Sequence, residues 1–191
     1  VRSNINSGQI SLHWRSTKFN IDVIMLFSSG TGAEVKIELR VVNHNPTMDV
    51  IEVVAPKISD LRISSKALHD TLAWPFSAGG FISFPAAKGE LSIGYPDHAG
   101  LPFVDLFNAG EGLYLGCHDP LVVATHFIST PNPGQEAIEL SINRKHRIKA
   151  GSGQVYHYVL AAHKGDWHAG ADIYRRYFYS KYRVNRYRAW L

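Results

Sequence analysis

A chain of 191 residues, 45% hydrophobic, 12% aromatic and 19% charged, carries enough apolar material for a packed core, which excludes wholesale disorder. One domain of this length buries roughly 70% of the surface its unfolded chain exposes. No apolar run approaches the ~20 residues of a membrane-spanning helix, since Ile21–Phe27 contains Asp22, and Cys117 as sole cysteine excludes an internal disulfide and a thiolate-built zinc site.

The formal net charge is +4, from 20 Lys+Arg and 16 Asp+Glu. Beyond Asp172 there is no acidic residue, but there are six basic ones: Arg175, Arg176, Lys181, Arg183, Arg186 and Arg188. Without them, 14 basic residues face 16 acidic ones, so the body is slightly acidic. A uniformly basic nucleic-acid-binding body is excluded, leaving a basic arm as the one route to that function. The sequence opens on Val1 without a signal peptide pattern and closes on Ala189-Trp190-Leu191. It reads as a piece of a longer chain, and no compartment can be read from it.

Ile10, Leu12 and Trp14 alternate with polar residues and predict a first strand. Phe19, Ile21, Val23, Met25 and Phe27 share a face in a second. Ser28–Gly32 then turns the chain into Ala33–Val41, where Ala33, Val35, Ile37, Leu39 and Val41 face inward and Glu34, Lys36, Glu38 and Arg40 face water. Asn43-His44-Asn45-Pro46 is a turn. Further strands are predicted at 50–54, 61–64, 80–84, 91–95, 112–117, 121–128, 137–142 and 155–161. From Asp166 to Tyr182 the period changes: Trp167, Ala171, Tyr174, Phe178 and Tyr182 form the stripe of an amphipathic helix with Asp166 as N-cap. The fold class is therefore all-β, a large antiparallel two-sheet β-sandwich with one C-terminal amphipathic helix. Residues 1–164 form the sandwich, which lacks its first strands if the chain is truncated there. Residues 165–191 form a linker helix and the exit from the sandwich.

The stretch from Trp74 to Pro120 sets aromatics, carboxylates and histidines beside Gly and Pro. Aromatic faces stack on sugar rings and Asp, His and Asn bind hydroxyls, so the candidate binding residues are Trp74, Tyr95, Asp97, His98, Asp105, His118 and Asp119. The competing reading is a β-protein with aromatic corners. Glycoside hydrolysis needs two carboxyl groups at ~5–5.5 Å or ~6.5–9.5 Å. Asp97, Asp105, Glu111 and Asp119 are the dense carboxylates here, and capping turns is their commoner use. No catalytic residue is assigned. No cofactor is implied, and no third ligand joins His118 and Asp119 at metal-site spacing. Cys117 reads as a small buried residue, with His118 on the opposite strand face. His157, His163 and His168 read as surface or interface residues.

Gly79-Gly80, Pro85, Tyr95-Pro96, Asp105 and Gly112–Pro120, then Gly165-Asp166-Trp167, Ala171 and Tyr174, resemble the N-terminal galactose-mutarotase-like sandwich of barrel-type glycoside hydrolases, in a little-characterised family. The resemblance runs from about Gln9 to Leu191. It implies an accessory domain, inactive alone, that shapes or covers the sugar site of a following (β/α)₈ barrel, with the residues after the helix as the approach to that barrel. Its implied partners are carbohydrate and the barrel, with neither nucleic acid nor membrane. No barrel is present, so the family's catalytic carboxylates have no counterpart here. Two alternatives stand beside this reading: a self-standing carbohydrate-binding module, and a nucleic-acid binder using the Arg/Tyr segment after Tyr174.

Overall fold

The structure is a computed structural model describing residues 2–6, 8–76 and 79–183. Among these residues, nine strands form the larger sheet. Their order is β1 (Arg2–Asn6), β2 (Gln9–Ser16), β3 (Ile21–Ser29), β4 (Glu34–Asn43), β13 (Gly153–Lys164), β10 (Glu111–Cys117), β9 (Phe103–Phe107), β6 (Thr71–Trp74) and β7 (Gly80–Ser83). The smaller sheet runs β5 (Val53–Leu61), β12 (Ala137–Arg144), β11 (Thr125–Asn132) and β8 (Leu91–Tyr95). Paired strands are antiparallel. The one α-helix among the described residues, α1 (Trp167–Lys181), comes directly after β13.

The period-two alternation of β4 sets its face. Ile37, Leu39 and Val41 enter the core between the sheets, which also holds Leu106, Leu115, Phe127, Ile142 and Tyr156. Ile21, Val23, Met25 and Phe27 of β3 line the same layer. Val35 departs from its expected place. It is 38% exposed, because it stands at the start of the strand, next to the Gly30–Gly32 turn and outside the packed layer.

Two strands carry no alternation and escape a period-two reading. Phe103-Val104-Asp105-Leu106-Phe107 is apolar at four of five positions. Val104 and Leu106 pack between the sheets, whereas Phe103 packs on the opposite face, beneath α1. A strand covered on both faces reads as a continuous apolar run. Thr71–Trp74 is the other, with Leu72, Ala73 and Trp74 all buried. The stretches expected at 50–54 and 61–64 are the flanks of one strand, β5. It accommodates Pro56 because it lies at the edge of its sheet. The strand expected at 121–128 begins only at Thr125, and Leu121 and Val122 lie exposed in the preceding loop.

Layering of this kind predicts unequal costs along β4. Leu39→Ala, at a fully buried site, should lower unfolding free energy by about 2–5 kcal/mol, and Val35→Ala by under about 1 kcal/mol. Urea unfolding of the two variants checks this; equal losses would place the core elsewhere.

Candidate functional site

Helix α1 lies on the face of the larger sheet turned away from the smaller one. Asp166 caps it as the sequence predicts, accepting a hydrogen bond from the His168 backbone N–H at 3.0 Å. The buried side of the helix is rotated from the expected stripe. Gly170 and Ile173 are buried, with Ala171 and Tyr174 packed beside Phe103, Tyr114, Val159 and Ala161. The reason is steric. A Cβ on Gly170 would lie 2.1 Å from Asp105 Oδ2, so the helix backbone rests directly on that carboxylate and only glycine fits.

Asp105, on β9, is completely buried and takes both its oxygens to His163 Nε2 at 3.0 Å. Burial raises its carboxyl above the usual range, and the His163 hydrogen bond opposes that shift. His163 thus sits under the helix, with its side chain 8% exposed, and not on the surface. On β10, Gly112, Tyr114 and Gly116 share the helix-facing side with His118 just beyond the strand. The Tyr114 ring lies over Gly116, where a Cβ would meet its hydroxyl at 2.0 Å. Tyr114 Oη and His118 Nε2 are hydrogen-bonded at 2.9 Å, and the His118 ring stacks on Tyr177 of α1 at 4.2 Å. Burial, aided by the charge of Lys36, lowers His118 to about 4, so the imidazole is neutral at pH 7. Cys117 points the other way, into the core between the sheets, where burial pushes its thiol up to about 12.

Asp119 meets Arg144 of β12 at 2.7 Å, their side chains 7% and 1% exposed. Its other oxygen accepts the His157 backbone N–H at 2.8 Å. Arg144 also donates to Tyr158 Oη at 3.1 Å and Thr125 Oγ1 at 2.7 Å. Tyr177 and Tyr182 donate to the carbonyls of Asp119 and Pro120 at 2.6 and 3.0 Å. Asp105, His118 and Asp119 therefore fix the helix to the sandwich.

Of the other four sequence candidates, Trp74, Asp97 and His98 lie at a different place, whereas Tyr95 lines a cleft with Asp119, Arg144, Tyr174 and Tyr182. The Phe76–Ala99 bridge and a 2.8 Å hydrogen bond from Gly100 N–H to the Pro75 carbonyl lace the Trp74 loop to the turn after β8. Trp74 and Phe103 line an apolar recess of about 210 Å³ with Phe81, Leu101 and Trp167 at its mouth. Trp167, at the head of the expected stripe, is only half-buried. It stands on the first helical turn, 5.6 Å from the Phe81 ring and stacked on His168 at 4.0 Å. On the laced turn Tyr95 is half-buried, and Asp97 and His98 are 78% and 70% exposed and paired at 2.8 Å. Among the described residues, no cluster of three His, Cys, Asp or Glu side chains is placed to hold a metal, and no helix is long and apolar enough to cross a membrane.

No protein-family model matches this sequence, and no curated protein matches it. Solved structures do resemble it. The α-N-acetylgalactosaminidase NagBb from Bifidobacterium bifidum, a quadruple mutant, aligns over 94% of this chain at TM-score 0.65 and 13% identity. The galactosidase domain of the α-galactosidase-sucrose kinase AgaSK aligns over 82% at 0.61 and 10% identity. The galactose 1-epimerase of Lactobacillus acidophilus NCFM aligns over 86% at 0.54 and 8% identity. The fold is a galactose-mutarotase-like sandwich. The chain spans 30% of the NagBb chain and 24% of the AgaSK chain, against 66% of the epimerase.

The docked helix predicts two outcomes. Alanine normally favours a helix interior over glycine by about 1 kcal/mol, but Gly170→Ala should lower the thermal midpoint, because its Cβ collides with Asp105. A raised midpoint would refute the contact. The second concerns pH. The unfolded chain protonates His118 near 6.5, the folded chain only near 4. Between those values the unfolded state binds more protons, so stability falls as pH falls, by up to about 1.4 kcal/mol per unit. Denaturation at pH 7 and pH 5 should show a smaller acid loss for His118→Gln than for the parent. Equal losses would place His118 in water.

Proposed function

We propose that this chain is an accessory β-sandwich of a glycoside hydrolase, without hydrolytic activity of its own. The observation carrying this reading is the fate of the carboxylates in the Trp74–Pro120 region. Asp105 and Asp119 are buried and bonded to His163 and Arg144. Asp97 is paired with His98 on an outer turn, and Glu111 is exposed at the start of β10. Retaining and inverting hydrolysis both need two carboxyl groups across one open sugar site, but Asp105 is closed off beneath the helix and Asp119 in the interior against Arg144. Galactose- and N-acetylgalactosamine-acting enzymes carrying the same sandwich within longer chains support the assignment.

In this role the recess of Phe81, Leu101 and Trp167, with the adjoining Asp97–His98 turn, faces carbohydrate at a following (β/α)₈ barrel. Aromatic walls take the C–H face of a pyranose, and Asp97 and His98 supply polar groups for hydroxyls. The recess also favours a second reading, a self-standing carbohydrate-binding module. Helix α1 spends Tyr174 and Tyr177 on docking, which weighs against a base-stacking arm. Of the arm's basic residues, Arg186 and Arg188 lie outside the described residues, as do Trp190 and Leu191.

The purified chain should give no turnover of aryl α- and β-galactosides or N-acetylgalactosaminides. Turnover that disappears in Asp97→Asn would overturn the accessory assignment. Chemical-shift titration with methyl galactoside separates the two readings: saturable binding that Phe81→Ala removes identifies the self-standing module.

A further inference from the structure

Helix α1 covers only part of its sheet face, and the uncovered remainder is polar. Strand register places Gln9, Ser28, Lys36 and Val159 side by side across β2, β3, β4 and β13. The neighbouring row is Ser11, Leu26, Glu38 and His157. All of these residues but Ser11 line a groove of about 580 Å³, within the size range of small-molecule sites. One wall is the last turns of α1, where Tyr177, Ser180 and Lys181 stand three and four residues apart on one side.

The charges in the groove are unequally satisfied. Arg176 is held by Glu34 at 3.1 Å, and Glu38 is held by Arg40 at 2.5 Å, with His157 Nε2 3.8 Å away. Lys36 and Lys181 have no acidic partner among the described residues. The guanidinium, the group suited to a forked contact with phosphate, is occupied. What remains is two ammonium point charges beside polar groups: Gln9, Ser28, Ser180 and the half-buried His157. That set matches a ligand with many hydroxyls and one carboxylate.

We propose that this groove is a binding site for an acidic saccharide, a uronic-acid-containing unit whose carboxylate lies between Lys36 and Lys181. The site is separate from the Trp74 recess and does not depend on the accessory role proposed above.

The probe is digalacturonic acid, titrated into the full chain by calorimetry and by chemical-shift mapping. Binding is expected in low salt. Lys36→Gln and Lys181→Gln should each weaken it by about two- to fivefold, the upper part of the range for one exposed charge contact. Phe81→Ala, in the recess, should leave it unchanged. Neutral galactobiose should bind at least tenfold more weakly, and inorganic phosphate should not compete. No binding, equal affinity for galactobiose, full competition by phosphate, or indifference to both lysine substitutions would each overturn the proposal. Circular dichroism confirms that the variants are folded. Loss of binding in Phe81→Ala with the lysine variants intact would move the ligand to the recess.

Discussion

Arg144 and Asp119 meet at 2.7 Å in the interior, and both sheets and the helix converge on that contact. Arg144 comes from the smaller sheet. Asp119 lies just past β10 of the larger one and accepts the backbone N–H of His157 on β13. The rings of Tyr156 and Tyr158 lie 5.1 and 4.7 Å from the guanidinium, so its faces are covered by β13 as well. Tyr177 then ties α1 to the carbonyl of the same aspartate. Removing one partner of a buried pair typically costs about 3–5 kcal/mol, because the other charge is left uncompensated. Here the loss would also release the turn on which the helix ends.

The helix is thus held at two points. Gly170 rests on Asp105, and Tyr177 bonds Asp119, seven residues and about 10 Å further along the axis. Two anchors fix both its position and its direction across the sheet. That placement decides what the outer face has left to offer. At the N-terminal end Trp167 closes one side of an aromatic recess against Phe81, and toward the C-terminal end Ser180 and Lys181 wall a polar groove. Both surfaces are made jointly by helix and sheet, so each depends on the same docking.

Much of the layering was legible in the alternation of β2, β3 and β4, where one face is wet and the pattern is clean. The helix and its Asp166 cap were legible for a similar reason, since the period changes abruptly after Lys164. The strand at Phe103–Phe107 was not, because burial on both faces removes the alternation that would reveal it. The buried side of α1 was misread because apolar bulk was the criterion. Its central residue is a glycine, chosen by a carboxylate some 65 positions earlier in the sequence. His163 was likewise invisible as a core residue without its long-range partner Asp105. The pairing of Tyr114 with His118 did leave a local trace: Gly112, Tyr114 and Gly116 alternate toward one face, and a bulky ring flanked by glycines marks a ring lying flat along its strand. The lacing of the Trp74 loop to the Tyr95–His98 turn runs through backbone hydrogen bonds, which side-chain types do not encode.

A docking surface built on Asp105, His118 and Asp119 differs in kind from one built on apolar contacts. Ile173, Ala171 and Tyr174 supply most of the buried apolar surface, and such contacts tolerate sliding and rotation with gradual loss. A helix held by them alone can shift by a residue and still bury comparable area. The polar contacts do not allow this. A shift by one position puts alanine, at 169 or 171, onto the Asp105 carboxylate, and it breaks the Tyr177 hydrogen bond at the same time. The histidines and carboxylates that make this region look like an active site therefore act in the folded chain as a register device. They exchange solvation energy for a single helix position, and that position shapes both the aromatic recess and the polar groove.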